Sequence, residues 1–167
     1  KVVRGEVLNT INGEEHWLFF RKSITTDYGT LEDTQHALQT IQALIDTRPF
    51  TADLFIVAAP NKITIYPEML QEDDQAQFAS LAPQRELLEA WFNEPDHRQR
   101  ISVWDKLRDE KTRTPHRVYE PAGSHFNSLG AMVFARAIID TINPTLWDDS
   151  QIIEEWTKTE IPDIAKV

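Results

Sequence analysis

Leu54-Phe55-Ile56-Val57-Ala58-Ala59-Pro60-Asn61-Lys62, read with the helical patterns on either side of it, decides the fold class. Residues 54–59 form a continuous apolar run bounded by Asp53 and Pro60, the pattern of a strand buried on both faces. Upstream, residues 36–48 place Ala37, Leu38, Ile41, Leu44 and Ile45 on one helical face. Downstream, residues 84–93 predict a second helix that buries Leu87, Leu88, Trp91 and Phe92. Residues 101–105 read as another strand, and 117–119 as a short extended piece before Pro121. Near the start, the apolar residues 16–20 follow the turn-like Asn12-Gly13 and predict a strand. Ser128 is placed to cap a last helix that runs through Leu129, Met132, Val133, Ala135, Ile138, Ile139 and Ile142 to Asn143-Pro144. That helix is apolar round most of its circumference, so it is expected to be well buried. Strands alternating with helices predict an α/β layer fold with a mainly parallel sheet. Ligands of such sheets bind at the carboxyl ends of the strands, here the loops after Ala59, Asp105 and Tyr119.

A chain of 167 residues suits one domain, and 41% hydrophobic with 26% charged residues is the balance of a globular one rather than of a disordered segment. No apolar stretch is long enough to span a bilayer. The start at Lys1-Val2-Val3, without Met and without a signal-peptide pattern, fits the removal of an upstream segment. With no cysteine, disulfides, zinc-thiolate sites and Cys nucleophiles are excluded, which suits cytoplasm or periplasm equally. His36, His97 and His116 show no metal-ligand spacing, so no metal is expected. No phosphate loop or dinucleotide fingerprint occurs either, and no cofactor is expected. Four of the five tryptophans, Trp91, Trp104, Trp147 and Trp156, fall at positions that suit core packing.

The net charge of −10 is opposite in sign to that of a protein that coats nucleic acid, so no nucleic-acid partner is expected. Seven basic residues cluster within residues 98–117 against three acidic ones, leaving that stretch at +4 and the rest at −14. Two readings are open: an ordinary solvated face, or a docking surface for an anionic polymer or partner.

Ser124-His125-Phe126-Asn127-Ser128-Leu129-Gly130 is the most informative stretch for chemistry. A histidine in a loop just before a helix is held firmly while its ring stays free, which suits a general base near neutral pH. The competing reading makes His125 a loop residue tied to the backbone. Asn127 and Gly130 suit the turn and the tight helix start, and Asn127 is also a candidate substrate contact. Lys62 and Tyr66 follow the apolar strand, at the sheet's carboxyl edge. Lys62 is placed to hold a carboxylate of a bound ligand, and Tyr66 to stack on or hydrogen-bond a ligand ring, which the family resemblance below makes a sugar's. The alternative is a solvated lysine and a tyrosine packed under Pro67.

Three blocks resemble, in order, the SGNH-hydrolase-like domain of alginate O-acetyltransferases, the AlgX and AlgJ type. Residues 12–20 (NGEEHWLFF) are similar to the family's G-x-x-G-W-L-F opening, with His16 where the glycine before Trp would stand. Residues 58–68 (AAPNKITIYPE) are similar to P-x-K-x-x-x-Y-P-E, and residues 119–127 (YEPAGSHFN) to Y-x-x-T-D-T-H-W-N. Residues 162–166 (PDIAK) resemble the later G-D-L-A-x-M-L segment. The resemblance implies an SGNH-hydrolase-like, flavodoxin-like three-layer α/β domain over residues 1–167. It also implies a Ser-His-Asp triad that moves acetyl groups on hydroxyls of an exported, alginate-like polysaccharide in the periplasm. The implied partners are that polysaccharide and an acetyl donor, supplied by a membrane-bound acetyltransferase. A plain acetyl esterase, and a non-catalytic carbohydrate-binding or scaffold subunit, are the alternatives.

Of the triad, His125 carries over. Gly123 stands two residues before it, at the family's Asp, and Ala122 three before, where other SGNH hydrolases keep theirs. Glu120 is the nearest acidic residue before His125 in sequence. The family's Gly-Asp-Ser nucleophile follows the segment matched by residues 163–166, so the chain is expected to be an N-terminal portion without that strand. Asp149-Ser150 is the one Asp-Ser pair, and it reads better as a cap for Ile152, Ile153 and Trp156.

Overall fold

The computed structural model describes residues 10–25, 29–47 and 53–146. Asn12-Gly13 reverses the chain between β1 (Thr10–Asn12) and β2 (Leu18–Phe20), which pair antiparallel with Ile11 opposite Phe19. The strand expected over residues 16–20 starts only at Leu18, because Glu14–His16 forms a 3-10 turn first. Glu15 and His16 are left-handed there, with φ of 50° and 65°. His16 thus occupies, with a side chain, a backbone state that favours glycine.

The short helix α1 (Lys22–Thr25) leads to α2 (Leu31–Asp46). The start of α2 is a capping box: the Thr30 hydroxyl accepts from the Asp33 N–H at 3.1 Å, and the Asp33 carboxylate accepts from the Thr30 N–H at 2.7 Å. The Thr30 N–H and the Thr30 hydroxyl, which also donates to that carboxylate at 2.7 Å, hold the Asp33 carboxyl below its ordinary range. The capping box also starts the helix five residues earlier than the apolar periodicity alone indicates. Leu38 and Ile45 are buried with Ile41 partly so, whereas Ala37 and Leu44 lie outside the stripe, Leu44 being 62% exposed.

The apolar run 54–59 contributes only β3 (Ile56–Val57), which is partly rather than doubly buried. It pairs in parallel with β4 (Arg100–Ile101), Ile56 opposite Arg100 and Val57 opposite Ile101. Parallel pairing requires a long crossover. Here it is α3 (Lys62–Ile65), α4 (Glu72–Ser80) and α5 (Ala82–Phe92). The fold is therefore α/β as expected, but its described parallel sheet has two strands and the other pair is a hairpin.

The strand expected over residues 101–105 ends at Ile101, and α6 (Trp104–Arg113) begins three residues later. Trp104, Leu107 and Glu110 recur every three residues on its buried side. Asp105 in the first turn and Lys111 and Arg113 in the last complement the helix dipole. Helix α6 packs on α3 and on α7 (Ser128–Ile142), and α2 packs on α5. The cap of α7 is Asn127, whose Oδ1 accepts from the Gly130 N–H at 3.0 Å; Ser128 is already the first helical residue. The expectation of a well-buried α7 fails, since only Gly130 and Ala137 are fully buried and Ile142 is 52% exposed.

The core gathers Trp17, Phe19, Ile63, Ile65, Leu70, Val103, Leu107 and Val118. Trp104 joins it as expected, Trp91 is partly buried beneath the Arg100 guanidinium at 3.9 Å, and Trp147 and Trp156 lie outside the described residues. Arg100 is itself buried. It donates to Gln42 Oε1 from Nε at 2.8 Å, to the Trp91 carbonyl at 2.8 Å and to the Glu94 carboxylate, fastening α2 and α5 to β4.

Gly130 sets how closely α7 approaches the 118–126 segment. A Cβ there would fall inside contact distance of the Val118 carbonyl oxygen and 2.6 Å from the Phe126 Cβ. Alanine gains about 1 kcal/mol of helix propensity over glycine. The backbone carbonyl has no cheap way to yield, so overpacking wins. Gly130→Ala is expected to destabilise the protein by about 1–3 kcal/mol. Thermal unfolding checks this as a fall of roughly 2–10 °C.

Candidate functional site

Tyr119 and Phe126 form an isolated antiparallel bridge that pinches residues 120–125 into a loop. The Asn127 N–H donates to the Val118 carbonyl at 3.1 Å, and the Gly123 N–H to the Glu120 carbonyl at 3.2 Å, tightening the loop from within. His125 stands at its end, three residues before the first residue of α7, with its side chain exposed. Its Nδ1 lies 3.2 Å from Ser124 Oγ.

Lys62 reaches this loop from beneath. Its ammonium donates to the carbonyls of Glu120 at 3.0 Å, Pro121 at 2.7 Å and Gly123 at 2.8 Å, which uses all three of its protons. The Trp17 and Phe19 rings lie 4.9 and 5.0 Å from Nζ, and the residue is 4% exposed. Burial pushes its pKa down to about 8, against the pull of the Glu120 carboxylate. This corrects the sequence reading, because Lys62 is neither a solvated lysine nor left with a donor for a sugar carboxylate. It fastens the loop that carries His125.

Tyr66 is buried in the core, its ring 4.6 Å from that of Trp17, and its hydroxyl oxygen accepts from the Val118 N–H at 3.0 Å. Burial raises its pKa. The sugar-stacking role expected of Tyr66 is not compatible with that position, since a ring packed inside offers no open face. Asn127 spends its amide within the chain as well. Besides capping α7, Nδ2 donates to the Arg117 carbonyl at 2.7 Å and to Glu120 Oε1 at 3.2 Å. The Glu120 carboxylate is thereby tied to Asn127 rather than to His125.

A cavity of about 320 Å³ opens beside His125, at the small end of the range of ligand sites. Phe19, Phe20, Asn61, Tyr119, Ser124 and His125 are among the residues around it. Phe20 is 45% exposed, while the buried Tyr119 hydroxyl donates to the Pro60 carbonyl and has its pKa raised by burial. The cavity lies where the loops after Ala59 and Tyr119 meet, two of the three loops that the sheet argument selects. The third, after Asp105, is not a loop, because Asp105 lies inside α6. Sequence reasoning missed Phe20, Asn61 and Tyr119 as wall residues, although each sits within a quoted block. A somewhat larger cavity of about 390 Å³ lies by Glu68, Arg85, Glu89, Arg108 and Lys111, away from His125. Arg108 pairs with Glu89 there, Lys111 pairs with Glu68, and Arg85 donates to the Phe78 carbonyl at 2.9 Å, so the smaller cavity is the better candidate for chemistry.

That pairing extends over the whole basic stretch. Arg98 meets Asp53 at 3.5 Å, Lys106 meets Asp140 at 3.6 Å, Arg108 meets Glu89 at 2.8 Å and Lys111 meets Glu68 at 2.6 Å. Arg113 pairs with Glu110 at 2.7 Å and Arg117 with Glu15 at 3.7 Å, while Arg100 is buried on Glu94. The +4 of the sequence stretch is met by acidic residues folded against it, which leaves no strong field for an anionic polymer. Replacing Arg108 and Arg113 by Ser is expected to leave affinity for such a polymer unchanged. A salt-dependent loss in titration would restore the docking reading.

The described residues thus form an α/β frame that carries a histidine-bearing loop beside a small cavity. The chain belongs to the SGNH hydrolase-like domain family of acetyltransferase AlgX, whose family model matches residues 10–165. No curated protein and no solved structure matches it. Among the described residues, no helix is long and apolar enough to cross a membrane. Asp149-Ser150 and residues 162–166 lie outside the described residues.

Proposed function

We propose that this domain acts in O-acetylation of an exported, alginate-like polysaccharide in the periplasm, with His125 as general base at the cavity beside it. The observation that carries the reading is an exposed imidazole on a fastened loop, at the wall of a cavity about the size of a small ligand. The attacking hydroxyl gives its proton to the His125 ring as its oxygen bonds to the acetyl carbonyl carbon. The bond from that carbon to the donor oxygen then breaks, and the imidazolium returns the proton to the departing oxygen. An acetyl donor and a polysaccharide hydroxyl are the two substrates, and a membrane-bound acetyltransferase is the partner proposed to supply the donor.

Incubation with an acetyl ester donor and oligosaccharide acceptors, read by mass spectrometry, tests this reading. A mass gain of one acetyl group on the sugar supports transfer, and acetate release without it supports an esterase. Absence of both products would overturn the catalytic reading. A second reading, a carbohydrate-binding or scaffold subunit, is favoured by one specific observation: Gly123 stands at the family's Asp position, and Glu120 is turned to Asn127. Under that reading the oligosaccharide binds and is recovered unmodified.

A further inference from the structure

We infer that Ser124 is a positioning residue for His125, holding the ring by its Nδ1 in the place a triad carboxylate would take. The inference rests on the reading of His125 as the base. A general-base histidine that works through Nε2 needs its proton on Nδ1, and in a Ser-His-Asp triad the acid fixes this by accepting from Nδ1–H. Residues 122 and 123 are Ala and Gly, so neither supplies a carboxylate. Glu120 accepts from Asn127 Nδ2 at 3.2 Å. The group that does stand at Nδ1 is Ser124 Oγ, 3.2 Å away, and both residues line the same cavity.

A serine hydroxyl has one proton to donate and two lone pairs to accept with. Ser124 is exposed, so solvent is open to its own proton, and Oγ is inferred to accept Nδ1–H rather than to donate to Nδ1. The partner of one ring nitrogen sets which tautomer is present, and here it leaves the Nε2 lone pair free. At 3.2 Å the bond is at the long end of the range, and a neutral oxygen stabilises imidazolium less than a carboxylate does. Ser124 therefore sets the tautomer without supplying the charge.

Long-range proton–nitrogen correlation spectra of the whole chain, at a pH where the ring is neutral, test this directly. The His125 signals are assigned among the five histidines by their loss in His125→Ala. The expected result is an Nδ1–H ring in the wild type, a shift to the Nε2–H form favoured by solvated imidazole in Ser124→Ala, and an unshifted ring in Ser124→Thr, which keeps the hydroxyl. A wild-type ring already protonated at Nε2, or one whose tautomer is the same in Ser124→Ala, overturns the role of Ser124 alone. A shift in Ser124→Thr equal to that in Ser124→Ala assigns the change to the loop and overturns it too. The expected tautomers with acetyl transfer undiminished in His125→Ala overturn the base reading, and this proposal with it.

Discussion

His125→Ala is expected to lower acetyl-ester turnover by about 10²- to 10⁴-fold, the usual contribution of a positioned general base. At about 1.36 kcal/mol per tenfold, that is roughly 3–5 kcal/mol of transition-state stabilisation. The loss falls on kcat rather than on KM, because proton removal operates during bond formation and not during docking. The His125 side chain is exposed and contributes nothing to the core, so the melting temperature should stay close to that of the wild type. Turnover of a chromogenic acetyl ester, followed beside thermal unfolding, separates the two effects. A loss of less than about tenfold would remove His125 from the chemistry and favour the binding-subunit reading.

Lys62→Met carries the largest expected effect on stability, about 2–4 kcal/mol. Methionine matches much of the stem but offers no donor to the loop. The Pro121 carbonyl keeps the Leu18 N–H at 2.8 Å, and the Glu120 carbonyl keeps the Gly123 N–H at 3.2 Å. The Gly123 carbonyl loses the Lys62 donor at 2.8 Å. Removing the buried charge recovers part of the loss, because burial alone holds the ammonium at a cost. The net fall in melting temperature is roughly 5–15 °C. An unchanged value would mean that desolvation cancels all three bonds.

The same lysine gives a pH dependence of definite sign. Its folded pKa of about 8 lies below the ordinary 10.5. Between those values the unfolded chain binds more protons than the folded one, so the contribution of Lys62 to stability rises with pH across that window. Below about pH 8 the lysine is charged in both states and its burial cost is fully present. The stability difference between wild type and Lys62→Met therefore widens from about pH 8 to 10.5, as denaturant titrations at several pH values would show.

Much of the frame was legible because local patterns and tertiary packing agree there. The helix over residues 84–93 appears as α5, displaced by a residue or two, because Leu87, Leu88, Trp91 and Phe92 repeat at helical spacing. The start of α2 lies in a signal other than periodicity: Thr30 followed three residues later by Asp33 is a capping-box signature, and it places the helix start where periodicity does not. Trp104 and Asp105 read as strand in the sequence because so short a run has no period of its own. What makes them helical is the continuation to Leu107 and Glu110, both turned inward.

The sequence alone determined the α/β class, the position of His125 in a loop ahead of a helix, and the family, because motif order and spacing are properties of the chain itself. Tertiary structure alone decided what the polar residues of those motifs do. Lys62, Tyr66 and Asn127 stand in or beside the motifs as apparent substrate ligands, yet each is consumed by loop 117–123 across 7 to 61 residues of chain. A donor's availability depends on which acceptors the fold brings within about 3 Å, and no local pattern records that. The seven basic residues of 98–117 follow the same rule. Their sequence shows a charged stretch, and folding supplies every one of them with a carboxylate.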